Sequence, residues 1–329
     1  MPTATCATMH GNLARPIHWR VAAITTLLVA AALLMTGCMR PLATLRTTGQ
    51  LALAAAGVHS DYVQLGPNRI HYYAGGDGPP VVFVHGLGAE AVTWMEQLIA
   101  IKHRGYRVYA IDLLGHGRSA KPDISYSIED QSEMLRQFLA VEKVQSVDLV
   151  GVSMGGWVVL NLALEHPELV HRMIVADAAG LLFQTDITAD TFLPKSSAQF
   201  KQFWALLSPR PLPGEAIISR DYIHEVRRRE WIIRRTFVNF EQRRDLLDGR
   251  LEAIQAPVLI LWGEQDKLIP LSVGKAMQRD LPQSSLLICP DSGHLAVFEC
   301  WHRFAPAVEN FFDARELPPP SVRQMPAKK

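Results

Sequence analysis

Short apolar runs separated by amphipathic stretches set the rhythm of this chain. Residues 81–84, 147–152, 173–176, 258–262 and 285–289 are almost wholly apolar and rich in β-branched side chains. That is the pattern of strands buried on both faces of a parallel sheet. Residues 106–113 make a further strand, and residues 61–65 and 69–73, either side of Gly66-Pro67-Asn68, predict a β-hairpin ahead of it. Helices are expected over 94–103, 127–141, 156–165, 271–279 and 301–312. In the second of these, Ile128, Met134, Leu135, Phe138 and Leu139 share one broad face, and Ser127 with Asp130 three residues later suits an N-terminal cap. Strand–helix alternation of this kind predicts an α/β fold, a mostly parallel twisted sheet with helices on both faces.

The alternation stops at Gly180 and resumes near residue 249, after the sixth strand. Residues 181–248 hold aromatic and proline clusters and then a charge-laced helical run, with no convincing buried strand. They are expected to form a helical cap over the carboxyl edge of the sheet, where binding loops gather. Phe183, Phe192, Leu193, Phe200, Phe203, Trp204, Leu206 and Leu207 supply an apolar roof, part of it the cap's own core; Phe183, Phe192 and Trp204 are the substrate-binding candidates. Nine arginines and six acids run from Arg220 to Arg250, with Glu225/Arg229 and Glu230/Arg234 at i,i+4, so a salt-laced solvent face is expected. Contact of Arg227, Arg228 and Arg229 with anionic headgroups is the minor reading. The expected organisation is residues 61–180 and 249–316 as core, 181–248 as cap and 317–329 as a disordered tail.

Composition adds little to this picture. The chain has 329 residues, 48% apolar and 20% charged, with a formal net charge of +1. No global field recruits nucleic acid, and a monomer is expected. The N-terminus adds more. Arg15, His18 and Arg20 precede an uncharged apolar run, Val21 to Met35, shorter than the roughly 20 residues of a membrane span and suited to a signal peptide. It ends Leu34-Met35-Thr36-Gly37-Cys38, which resembles a bacterial lipoprotein processing site with Met35 in place of the usual leucine. Residues 1–37 are therefore expected to be a signal peptide, Cys38 the lipidated new N-terminus, and residues 38–60 a tether with a short helix. The cell envelope, outer membrane before inner, is the expected location. A plain cleaved signal or an uncleaved anchor is the other reading, and Met9 is an alternative start. Export permits a disulfide between Cys289 and Cys300, and two buried thiols are equally compatible with the sequence.

The chemistry centres on Gly151-Val152-Ser153-Met154-Gly155, between a buried strand and a helix. A serine on such a turn is held in a strained conformation with its hydroxyl exposed at the edge of the sheet. It needs a base, and the base an orienting acid. His294 follows the strand over 285–289 and Asp266 the strand over 258–262, both at the edge that carries Ser153. Asp177, Glu264 and Asp291 are the lesser candidates for the acid. His166, His171, His224 and His302 are expected to be solvated or packed. The Met154 amide, at a helix start, and the Leu87 amide, in His85-Gly86-Leu87-Gly88, are the expected oxyanion donors, with His85 bracing that loop. Gly115-His116-Gly117-Arg118-Ser119 lacks the spacing and lysine of a nucleotide loop and reads as a tight turn beneath the site.

Together with Val81–Gly88, Asp112–Ser119, Gly263–Asp266 and Gly293-His294, the nucleophile motif resembles the α/β-hydrolase superfamily over roughly residues 61–312. Gly151–Gly156 and Leu193-Pro194 are similar to bacterial ester-hydrolysing lipases and to meta-cleavage C–C hydrolases. The resemblance implies the α/β-hydrolase fold and a cofactor-free, metal-free serine hydrolase with the triad Ser153, Asp266 and His294. A lipase or esterase is expected. A C–C hydrolase or acyltransferase with the same triad, or a non-catalytic envelope binding protein, are the alternatives. Serine at 153 argues against the epoxide-hydrolase and dehalogenase branches, which use aspartate there.

Overall fold

The computed structural model describes residues 40–314 and 321–327. The expected signal peptide and the lipidation candidate Cys38 lie outside the described residues. A helix, α1 (Pro41–Ala55), leads into the hairpin β1 (His59–Leu65) and β2 (Asn68–Gly75). The core continues with β3 (Pro80–Val84), α2 (Met95–His103), β4 (Arg107–Ile111), α3 (Ile128–Val141), β5 (Val147–Val152), α4 (Met154–Glu165) and β6 (Val170–Ala176). Three cap helices follow, α5 (Ser197–Leu207), α6 (Glu215–Arg227) and α7 (Glu230–Glu241). The chain then returns to the core with β7 (Val258–Gly263), α8 (Leu271–Asp280), β8 (Ser284–Cys289), α9 (Ala296–Glu299), α10 (Trp301–Asp313) and β9 (Ser321–Gln324).

Among the described residues the strands form one sheet in the order β1-β2-β4-β3-β5-β6-β7-β8-β9. The β1/β2 and β2/β4 pairs are antiparallel and the rest parallel. Strand periodicity divides the core in two. Val82 and Val84 face one side, with Phe138 of α3, Val158 of α4 and Met277 of α8. Val81 and Phe83 face the other, with Leu98 of α2 and Phe304 and Val308 of α10. Apolar runs without alternation are therefore what this sheet needs. Helix α3 begins where the sequence places it: Ser127 Oγ accepts from the Asp130 amide at 3.0 Å and Asp130 Oδ2 from the Ser127 amide at 2.9 Å.

Two features differ from expectation. Residues 321–324, expected within a disordered tail, form β9 and extend the sheet by parallel pairing with β8. Polar β9 residues suit an exposed edge strand, whose pairing rests on backbone groups rather than on an apolar face. Helix α4 starts at Met154, directly after Ser153, so strand and helix meet at the serine without a linker. The cap shows no strand among the described residues. Nor is any described helix long and apolar enough to cross a membrane.

Candidate active site

The β5–α4 junction holds Ser153 at φ 55° and ψ −121°, a positive φ that costs a non-glycine residue on the order of 1–3 kcal/mol. Surrounding structure compels it. The Ser153 amide donates to the Ala176 carbonyl (2.9 Å), and the Ser153 carbonyl accepts from the Trp157 (3.2 Å) and Ala179 (3.1 Å) amides. The flanking glycines are there for close approach. A Cβ on Gly151 would stand 2.4 Å from the Gly155 carbonyl oxygen, and one on Gly155 only 2.2 Å from that of Val84.

Asp266 and His294 meet at the ends of β7 and β8. His294 Nδ1 donates to Asp266 Oδ2 at 2.8 Å, and both residues are buried. Asp266 Oδ1 accepts from the Leu268 and Ile269 amides at 2.8 and 2.9 Å, so the carboxylate is fixed on both oxygens. Burial alone would lower the His294 pKa; the Asp266 charge and hydrogen bond outweigh it and hold the imidazole above its ordinary value. The proton on Nδ1 leaves Nε2 as the basic nitrogen. Ser153 Oγ and His294 form no hydrogen bond in this structure; such bonds are often long in free enzymes and tighten around substrate.

Asp177 is not the partner of His294. Its Oδ1 accepts from the Gly263 amide (2.8 Å) and its Oδ2 from the Ala296 amide (3.1 Å), tying the ends of β6 and β7 to the segment after His294. Burial, then the nearby Asp266 charge, push its pKa well up. Asp291 pairs with Arg303 and Arg210, and Glu264 with Gln324.

The loop after β3 comes up beside the serine. The Leu87 and Met154 amides take no part in the backbone bonds of the surrounding loops and caps, and both residues border the same cavity as Ser153. His85 Nε2 accepts from the Leu113 amide (3.1 Å), so Nδ1 carries the proton and donates to the Gly86 carbonyl (2.8 Å). Complete burial pushes its pKa down and keeps the ring neutral. The turn beneath is pinned by Asp112, which accepts from His71 Nδ1 (2.7 Å) and from the Ala91 (2.7 Å) and Arg118 (2.9 Å) amides. Burial would raise the Asp112 pKa, but the hydrogen bonds from His71 and the Ala91 amide lower it to about 2. His116, buried beside His85, is pushed down to about 3.

Above Ser153 opens a cavity of about 330 Å³. Phe183 and Phe192 line it as expected. Trp204 does not: its indole N–H donates to the Arg210 carbonyl (2.8 Å) and its ring packs in the cap. An indole needs a partner for its N–H, and the turn after α5 supplies one. Phe200 and Phe203 are cap core. The walls that sequence reading missed are Trp157 from α4, Phe237 and Phe240 from α7, and Leu268 and Ile269 after β7. Phe237 and Phe240, at i,i+3 after Ile233, form the apolar side of a helix read for its charges. Of the expected ion pairs, Glu230–Arg234 (2.8 Å) lies along the exposed side of α7. Glu225–Arg229 (3.2 Å) instead joins the end of α6 to the turn after it and is half-buried, with Arg46 of α1 on Glu225 and the Gly88 carbonyl on Arg229, so that pair is not the solvent face expected. Arg227 and Arg228 are exposed. Cys289 and Cys300 are joined by a disulfide.

Comparison with known proteins agrees with this arrangement. The sequence profile of the Alpha/beta hydrolase family matches residues 81–307. An uncharacterised protein of Mycobacterium tuberculosis is 30% identical over 73% of this chain and 77% of its own length. A 2-hydroxy-6-oxo-6-(2'-aminophenyl)hexa-2,4-dienoic acid hydrolase of Metapseudomonas resinovorans is 28% identical over 77% of this chain and 91% of its own. Among solved structures, a membrane phospholipase A described as a bacterial virulence factor superposes with a TM-score of 0.74 at 25% identity, covering 90% of this chain and 99% of its own. The chain belongs to the alpha/beta hydrolase family.

Proposed function

We propose that the protein hydrolyses carboxylic esters with an apolar acyl chain, through an acyl-enzyme on Ser153. The observation that carries this reading is the placement of Ser153, on a strained turn at the floor of a cavity walled by Phe183, Phe192, Phe237 and Phe240. Ser153 Oγ attacks the ester carbonyl carbon while His294 Nε2 takes its proton. The Leu87 and Met154 amides donate to the oxygen that becomes negative. Collapse breaks the C–O bond, and His294 returns the proton to the departing alcohol. Water, deprotonated by His294, then releases the acid and regenerates the serine. Asp266 holds His294 in the Nδ1–H tautomer and stabilises the imidazolium.

The Metapseudomonas resinovorans relative favours a second reading, hydrolytic C–C cleavage of a 2-hydroxy-6-oxo-dienoic acid. Such a substrate carries a carboxylate, which a cation inside the cavity would bind. Among the cavity's lining residues Arg243 is the one cation, exposed, with Glu241 on the same stretch. The apolar interior suits a neutral acyl chain better. Parallel assay of p-nitrophenyl esters of increasing chain length and of 2-hydroxy-6-oxo-6-phenylhexa-2,4-dienoate decides. Turnover of the dienoate with none of the esters overturns the ester reading.

The same proposal places the enzyme in the cell envelope, tethered through Cys38. The disulfide supports export, since such bonds persist in oxidising compartments. Intact mass of the membrane fraction and release of Cys38→Ser to the soluble fraction test it; an unmodified Cys38 refutes it.

A further inference from the structure

The cap does more than roof the cavity: its lower end rests on the loop that carries His294. Glu299, the last residue of α9, makes the connection. Its Oε1 accepts from Ser208 Oγ at 2.5 Å, and its Oε2 from Ser292 Oγ at 2.5 Å. Ser208 closes the cap helix α5, whereas Ser292 lies two residues before His294. Both serines are buried, with 3% and 0% of their surfaces exposed, so neither hydroxyl can exchange this partner for bulk water. Backbone approach is equally close. A Cβ on Gly293 would stand 2.7 Å from the Leu207 carbonyl oxygen. Beside this contact Asp291 holds Arg303 at 2.5 Å and Arg210, just past the cap helix, at 3.5 Å.

We propose that Glu299 is a positioning residue that clamps the His294 loop to the foot of the cap. The inference rests on the reading of Ser153, His294 and Asp266 as the reacting groups. The Asp266 bond fixes one edge of the imidazole, and the height of the loop sets how far Nε2 reaches toward Ser153. That height is defined against Ser208. An acyl chain that fills the cavity presses on Phe192 and Phe237 of the cap, so seating of the cap and reach of the base are mechanically joined. Long-chain esters, which press on the cap, gain more from this joint than short ones, which leave the cap untouched.

The variants separate a clamp from a residue that only supports folding. Glu299→Ala is expected to lower kcat about 10- to 100-fold with KM within about threefold, the scale of a misplacement near 1 Å. Glu299→Gln keeps both contacts, because a serine hydroxyl can donate to the amide oxygen or accept from the amide nitrogen, and restores kcat to within about threefold of wild type. Ser208→Ala removes the tie between cap and Glu299, leaving the Arg210–Asp291 contact in place, and lowers kcat on long-chain esters more than on short-chain ones. Wild-type kcat in a folded Glu299→Ala, or equal damage in Glu299→Gln and Glu299→Ala, overturns the clamp. If Glu299→Ala does not fold, Ser292→Ala decides in its place, and wild-type kcat there overturns it. Ser153→Ala run alongside distinguishes the two levels. Residual wild-type hydrolysis in that variant refutes the catalytic reading and the clamp with it, whereas an inactive Ser153→Ala beside a fully active Glu299→Ala refutes the clamp alone.

Discussion

The disulfide encloses the base, and its contribution can be worked out from the chain it closes. Cys289 ends β8, Cys300 precedes α10, and the two lie 11 positions apart with His294 between them. In the chain-entropy account, closing a loop of that length removes about 9–10 cal/mol/K from the unfolded ensemble, or about 3 kcal/mol at 25 °C. Both cysteines are fully buried, so a reductant reaches them only through opening of the structure. The clean perturbation is the double variant Cys289→Ala/Cys300→Ala. Urea unfolding followed by fluorescence and circular dichroism should show wild type more stable by about 3 kcal/mol. At about 2 °C per kcal/mol for a domain of this size, that corresponds to a melting point higher by about 6 °C. Coincident transitions by the two probes are needed for the comparison to hold. Because His294 sits inside the closed loop, kcat should fall as well, while binding of an ester in the cavity changes little. A difference below about 1 kcal/mol, or full turnover in the double variant, would refute the claim that the crosslink restrains the loop.

Further outcomes follow from the site. Gly155→Ala places a Cβ 2.2 Å from the Val84 oxygen and 2.6 Å from that of His85, both backbone atoms; urea unfolding should show at least about 3 kcal/mol of destabilisation, the upper end of ordinary overpacking, and wild-type stability contradicts the elbow geometry. Neutral His294 is the working form, and its pKa is held up by Asp266 against burial. Activity should therefore be lost as pH falls through a value above about 6.5, the unperturbed histidine value. Asp266→Asn should move that acid limb of kcat/KM downward and cut kcat by about 10²–10⁴-fold; an unmoved limb counts against the pairing. Phe237→Ala or Phe240→Ala opens the cavity wall, and kcat/KM for esters of medium chain length should drop about 10- to 100-fold relative to longer ones, each missing methylene contact counting for about 1–3 kcal/mol. Trp204→Ala, away from the cavity, should leave the chain-length profile unchanged.

How far the sequence could be read depended on whether the information was local. Residues 147–152 announce a buried strand because every position faces a helix layer, and Ser153 is marked by glycines that its backbone needs. Asp266 and His294 were legible as the residues just past two apolar runs. The cap was legible only as an interruption. Which of its aromatics meet the cavity depends on the rotation of each helix, and Trp204 turned out to answer to its own N–H. Phe237 and Phe240 sit on a helix whose arginines and acids draw attention to the opposite face. Pairing of β9 was hidden because an edge strand needs only backbone donors and acceptors. The choice between a disulfide and two free thiols rested on the distance between β8 and α10, and the clamp of Glu299 on Ser208 joins segments that no local pattern relates.

The central claim is that Ser153 is the acylated nucleophile. Mixing the enzyme with a p-nitrophenyl ester, quenching in acid and measuring intact mass should show one acyl adduct, mapped by peptide to Ser153. Ser153→Ala should form none and lose about 10⁴-fold or more in kcat/KM. An adduct on another residue, or wild-type turnover in Ser153→Ala, would contradict the account.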